Sequence, residues 1–171
     1  MQYAASFVGW SNTGKTQLIR RLTALLSARG RKVGTLKSGH SQPQFEVSGK
    51  DTEIFFDSGA ERVGFISPHG AFVRYKQAPP VEALLAQFAS CDILLIEGSV
   101  SADIPCFELI RTSADIHNSK FPPEQLAAYI SMNDNAADAV DAGRSTLPIL
   151  PGRDPESILQ FLEELWNAKS V

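Results

Sequence analysis

Cysteine is scarce in this 171-residue chain. The two present, Cys91 and Cys106, lie far apart and outside any CxxC spacing, so reduced core thiols are expected, with a metal or redox role the alternative. Basic charge is not in surplus either. With 16 Lys+Arg against 19 Asp+Glu the net charge is -3, which argues against a dedicated nucleic-acid binder with its basic stripe. A phosphate ligand stays open, because it needs only local donors. No apolar run approaches the ~18–20 residues that span a bilayer. The start, Met-Gln-Tyr-Ala-Ala-Ser-Phe-Val-Gly, has no basic n-region, so no signal peptide is expected and the location expected is cytoplasmic. Repeats, low-complexity tracts and long linkers are missing as well. What remains, 43% hydrophobic and 20% charged residues, suits one globular domain expected to run over 1–171.

Periodicity supplies the elements. The apolar run Tyr3 to Val8 reads as a buried strand. Lys15 to Arg29 carries Leu18, Ile19, Leu22, Leu25 and Leu26 at helical spacing and is stopped by Gly30. Lys32 to Lys37 reads as a second strand, and Ser38 to Lys50 as a polar loop. Asp51 is placed as the N-cap of a helix through Ser58. Arg62 to Ser67 and Ala71 to Tyr75 flank Pro-His-Gly as a hairpin, and Pro80 to Ala89 reads as a helix. Asp92 to Ile96, Phe107 to Ile110 and Ala127 to Ser131 read as strands, and Pro155 to Ala168 as a closing helix. Strands alternating with helices predict an α/β three-layer sandwich around a mostly parallel sheet, with the hairpin as an antiparallel edge.

The chemistry begins at Gly9-Trp10-Ser11-Asn12-Thr13-Gly14-Lys15-Thr16, a full match to the P-loop pattern between a strand and a helix. Glycines let such a loop turn its N–H groups onto phosphate oxygens, and the helix N-terminus behind it favours negative charge. By chance the pattern arises in about one chain in a hundred or fewer. Lys15 is assigned to the terminal phosphates and the Thr16 hydroxyl to Mg²⁺. Gln17 follows in the same first helical turn.

A second metal-facing carboxylate is needed. Asp92-Ile93-Leu94-Leu95-Ile96-Glu97-Gly98 offers one at each end of its strand. Ligands bind at the carboxyl ends of strands in open α/β sheets, which favours Glu97 over Asp92 as metal ligand or water-orienting base.

With these segments quoted, the sequence resembles the molybdopterin-guanine dinucleotide biosynthesis adapter family, often called MobB. The resemblance rests on Trp10-Ser11 in the loop, Lys37-Ser38-Gly39-His40-Ser41 after the second strand, and Gly49-Lys50-Asp51-Thr52 before a helix ending Gly59-Ala60. Ile96-Glu97-Gly98 and Glu108-Leu109-Ile110-Arg111 follow in the family's order, so it spans nearly the whole chain. It departs at Ser38 and Ser41, where the family has histidines. It departs also at Ser99-Val100, where an aromatic and a lysine are usual, and at Gln17, where threonine is common. The resemblance implies a slow GTPase using GTP and Mg²⁺, a homodimer, and a molybdopterin guanylyltransferase (MobA-like) as partner, with molybdopterin as a further ligand.

Residues outside the loop are read in that light. Lys37 is a candidate to neutralise phosphate charge, and His40 to contact phosphate or a pterin-type ligand. Lys50 and Asp51 are candidates to line the same cleft. Asn133 and Asp134 follow a strand where a purine edge can be read, although the usual Asn-Lys-x-Asp order is absent. Arg111 is read either as a buried partner of Glu108 or as a cation for phosphate or partner binding. Two rival functions stand beside the adapter reading: a small-metabolite kinase, and a binding-only protein with a vestigial nucleotide site. The kinase is disfavoured by the polar segment Thr112 to Lys120, which holds one cation, Lys120, besides Arg111 at its edge and makes a poor phosphate lid.

Overall fold

Four strands of this chain are apolar along nearly their whole length, and strands of that kind need cover on both faces. A computed structural model, describing residues 3–39, 51–133 and 147–168, provides it. The described residues fall into two compact units, Met1–Gly39 with Ala86–Val171, and His40–Leu85.

The first unit is built on a six-stranded sheet of β1 (Tyr3–Val8), β2 (Val33–Lys37), β5 (Ile93–Glu97), β6 (Cys106–Ile110), β7 (Leu126–Ser131) and β8 (Ile149–Pro151). Their order is β2-β5-β1-β6-β7-β8, and every pairing is parallel. One face packs against α1 (Lys15–Ala28) and the last helix, α5 (Pro155–Ala168). Ala5, Phe7, Leu95, Phe107, Leu109 and Ile130 of the sheet meet Leu18, Leu22, Ile158 and Leu162 of the helices there, all fully buried. On the opposite face Val8, Cys106, Ile110 and Tyr129 are covered by Ile116 and Phe121, from α4 (Ser113–His117) and the turn after it. Helices, sheet and covering segments form the three layers.

The closing of α1 is local chemistry. Gly30 N–H donates to Ser27 O at 2.9 Å and Arg31 N–H to Leu26 O at 3.1 Å, so a Schellman pair satisfies the last carbonyls. Tyr3 stacks on Trp166 of α5 at 4.8 Å, tying the first strand to the last helix.

The second unit holds α2 (Asp51–Asp57), the hairpin β3 (Arg62–Ser67) with β4 (Gly70–Tyr75), and most of α3 (Val81–Ala86). Here the structure corrects two expectations. The hairpin does not edge the parallel sheet; β3 and β4 form a two-stranded sheet of their own. Both its strands expose most of their residues, so neither is enclosed on two faces as a central strand is. Asp51 is the first residue of α2 rather than a position outside it, where its charge favours the helix N-terminus. The short strand β8, the helix α4 and a 3₁₀ turn at Pro123–Gln125 were not anticipated.

Candidate functional site

Chain order makes a crevice before any side chain is considered. From β1 the chain passes to β2 on one side of the sheet and, through β5, to β6 on the other, so the carboxyl end of β1 is the switch point. The glycine loop sits at that end.

Its backbone matches its sequence. Gly9 and Gly14 have φ of 130° and 94°, and Asn12, at 61°, is the one non-glycine with positive φ among the described residues. At Gly9 the constraint is double, because a Cβ would stand 2.6 Å from the Leu109 carbonyl oxygen of β6. Lys15 Nζ crosses the loop and donates to the carbonyls of Gly9 at 3.0 Å and Trp10 at 2.7 Å. Buried Thr13 donates its hydroxyl to Trp10 O at 2.9 Å. Burial lowers the Lys15 pKa, with Glu97 raising it and Lys37 lowering it in smaller measure. Ser11, Asn12, Thr16 and Gln17 face solvent.

Glu97 is where neighbouring elements converge. Sheet register places it level with Phe7 of β1 and Lys37 of β2. Thr16 Oγ1 donates to Glu97 Oε2 at 2.7 Å, and Lys37 Nζ lies 3.2 Å from Oε1. A hydroxyl and a carboxylate in contact at a phosphate cradle are the donor set Mg²⁺ takes beside phosphate oxygens. Among the described residues no group of three or more His, Cys, Asp or Glu could hold a metal by itself. The glycine turns and this pair therefore fit a metal that arrives with its phosphates.

Other candidates fall elsewhere. His40, Lys50 and Asp134 lie outside the described residues, and Asp51 belongs to the second unit. Asn133 follows β7, and its Nδ2 donates to Arg111 O at 2.7 Å. It is close to the loop's base, where Met132 packs under Gly14: a Cβ there would meet Met132 Cε at 3.0 Å. Ser38 and Ser99, two of the departures from the family pattern, touch: Ser38 Oγ donates to Ser99 O at 3.2 Å. Gly98 is wedged between them, with its Cβ position 2.6 Å from Ser38 O.

The pairing of Arg111 with Glu108 is corrected. Arg111 Nε donates to Asp115 Oδ2 at 3.2 Å, and its Nη2 to Oδ1 at 3.3 Å. An aspartate four residues after an arginine was a readable signal for that pair. Burial alone would raise the Asp115 carboxyl, but hydrogen bonds and charge from Arg111 hold it below its ordinary 3.8.

Glu108 is buried on the opposite face of β6, with Ser119 as its hydrogen-bond partner. The Ser119 hydroxyl also lies 2.7 Å from Phe121 O and accepts the Phe121 N–H at 3.0 Å. A hydroxyl has one proton to give. The hydroxyl therefore serves the Glu108 carboxyl and Phe121 O in turn. Desolvation raises the Glu108 pKa, the Ser119 hydrogen bond lowers it in smaller measure, and Asp115 adds to the rise. Neighbouring Cys106 is pushed up to about 12, chiefly by burial and then by Glu108, so it offers no reactive thiolate.

Comparison with known proteins follows the same geometry. A family described as Molybdopterin guanine dinucleotide synthesis protein B matches residues 4–132. The molybdopterin-guanine dinucleotide biosynthesis adapter protein of Escherichia coli (strain K12) is 29% identical over 116 residues, 64% of this chain and 66% of its own length. A probable adapter protein of the same description from Bacillus subtilis (strain 168) is 34% identical over 118 residues, 64% of this chain and 65% of its own. The chain thus spans slightly less than two thirds of the length of these curated relatives. Among solved structures, Bacillus subtilis MobB superposes with a TM-score of 0.74 at 26% identity, covering 95% of this chain and 97% of that one. Hydrogenase maturation factor HypB from Archaeoglobus fulgidus shares the fold at a TM-score of 0.51 and 14% identity, covering 95% and 87%.

A raised carboxyl pKa stabilises the fold fully below the unfolded value, and that contribution is lost as pH rises through the folded value. For Glu108 the loss starts above about 4.5. Glu108→Gln keeps a neutral donor for Ser119, so its melting temperature is expected to decline less than that of the parent from pH 5 upward. Thermal unfolding across pH checks this. Parallel declines in the two proteins would show that Glu108 is charged in the fold.

Proposed function

This chain belongs to the molybdopterin guanine dinucleotide synthesis protein B family, and from that membership we propose that it is a GTP-binding, slowly hydrolysing adapter in molybdenum-cofactor maturation. The observation that carries the reading is the contact of Thr16 with Glu97 at the mouth of the glycine loop, with Lys37 on the other carboxylate oxygen. In this reading the chain acts as one P-loop domain. Gly9 to Gln17 hold the nucleotide, and Lys15 and Lys37 set the charge around its phosphates. Thr16 and Glu97 hold Mg²⁺, which supplies charge neutralisation when bound. Glu97 also orients the attacking water. His40 and Asp51 are proposed as further ligand contacts, and Asn133 with Asp134 as readers of the guanine edge.

The partners are proposed on the same footing. The E. coli relative's name is that of a molybdopterin-guanine dinucleotide biosynthesis adapter, which suits a guanylyltransferase as partner and molybdopterin as the molecule handled. Ile54, Phe55, Phe65, Ile66, Phe72 and Val73 of the second unit are exposed, an apolar surface that supports a homodimer. No helix among the described residues is long and apolar enough to cross a membrane, and we place the protein in the cytoplasm.

Phosphate release measured with GTP and with ATP, alone and with candidate acceptors, tests the activity. Slow release from GTP without an acceptor is expected. Turnover only with an acceptor would make the protein a kinase instead. In competition binding GTP is expected to displace ATP, by a margin smaller than in proteins with the full guanine motif, and tighter ATP binding would sink the guanine reading. Lys15→Ala is expected to abolish triphosphate binding in calorimetry while the circular dichroism of the fold is retained. Glu97→Gln should keep GTP affinity within about tenfold, or ~1.4 kcal/mol, while single-turnover hydrolysis falls much further. Equal losses of affinity and turnover would assign Glu97 a structural role.

A further inference from the structure

The segment after β6 brings a cation to the glycine loop. Lys120 Nζ lies 4.0 Å from the centroid of the Trp10 ring. Trp10 is the second residue of the loop, and its carbonyl takes the Lys15 ammonium at 2.7 Å. The root of Lys120 is fixed on both sides. Ser119 before it is held by Glu108, and Phe121 after it packs with Val8, Cys106 and Ile110. Val8 and Glu108 are level neighbours in the sheet, and Val8 runs directly into Gly9. One register pair of the sheet therefore sets both the loop and the lysine.

The cations around the mouth differ in how far they are committed. Lys37 is paired with Glu97 and Arg111 with Asp115, while Lys15 is held by loop carbonyls. Lys120 faces an aromatic ring, which attracts a cation without cancelling its charge. A phosphate oxygen offers a charge-assisted hydrogen bond, the stronger of the two interactions. Lysine carries its charge on a flexible four-carbon stem, so the exchange needs no movement of the backbone.

We propose that Lys120 is a phosphate-binding residue of the nucleotide site, stored on the Trp10 ring until an anionic ligand occupies the loop, and that Glu108 acts through Ser119 as its positioning residue. The inference rests on the nucleotide reading of Gly9 to Thr16. It deepens that reading by adding a cation, supplied within the chain, that the P-loop pattern does not contain.

Calorimetry with a non-hydrolysable GTP analogue and Mg²⁺ tests it on the full chain. Lys120→Met keeps an apolar stem against Trp10 and removes the charge, and Lys120→Arg restores a cation. Lys120→Met is expected to weaken binding about tenfold, with a shallower dependence on salt, while Lys120→Arg stays near the parent. Trp10 emission gives a second readout: the change on nucleotide addition in the parent is expected to shrink in Lys120→Met. Trp166, buried against Tyr3, contributes a constant background. Ser119→Ala is expected to weaken binding in the same direction, by less. If the parent binds and Lys120→Met binds equally well, Lys120 merely packs on Trp10 and the proposal is overturned. If the parent itself fails to bind, the nucleotide reading falls first.

Discussion

The carboxylate of Glu97 is shared between two elements of the crevice. One oxygen takes the hydroxyl of Thr16, in the first turn of α1, and the other faces the ammonium of Lys37, at the end of β2. That sharing depends on parallel register. Because β5 lies between β1 and β2, its last residue is level with the ends of both neighbours. A slip of one residue would turn Glu97 to the other face of the sheet, away from its partners. Register is in turn fixed by burial, since Leu94, Leu95 and Ile96 are wholly enclosed. The hydrophobic core therefore sets the polar geometry, and the site inherits its precision from apolar packing.

The other flank of the loop is governed by close approach. Gly9 lies so near the β6 backbone that no side chain fits, and Met132 fills the space beneath Gly14. The loop is thus clamped between β5, which offers a carboxylate, and β6, which offers only backbone contact. A segment held on both sides can keep its N–H groups directed at one point, which is what phosphate binding requires.

Much of this was legible in the residues, for reasons that are local. The glycine loop, its helix and the strands β1, β5 and β7 are signalled by period and by φ requirements that few residue types satisfy. Glu97 was singled out because strand direction alone says which end of a buried strand a ligand would face. What stayed hidden depends on partners distant in sequence or on elements too short for a period. Strand β8, with Ile149, Leu150 and Pro151, has only one neighbour among the described residues and no alternation to display. The hairpin's separation from the sheet could not be read from its turn, which specifies pairing but not where the pair goes. The polar stretch from Thr112 to Lys120 looked like a weak lid because its composition is weak. Its folding into α4 and a braced turn depends on Ser119 finding Glu108 and Phe121.

The same residue type performs opposite tasks on the two sides of β1. Glu97 sits at a strand end beside an ammonium and a hydroxyl donor, where a carboxylate can exchange protein partners for a metal. Glu108 is enclosed with Cys106, Tyr129 and Val8, where burial raises its pKa and the Ser119 hydroxyl is its hydrogen-bond partner. Arg111, the cation three residues on, is paired with Asp115 instead. Environment, rather than sequence motif, decides which carboxyl is open to exchange partners and which is enclosed in the fold. The division has a cost, because a carboxyl whose pKa is raised by burial stabilises the fold less as pH rises. Its return is a polar anchor that holds the Ser119 turn at one level beside the glycine loop. An apolar residue at position 108 would pack as well, but it would leave the Ser119 hydroxyl to the Phe121 main chain alone, and the turn would lose its tie to β6.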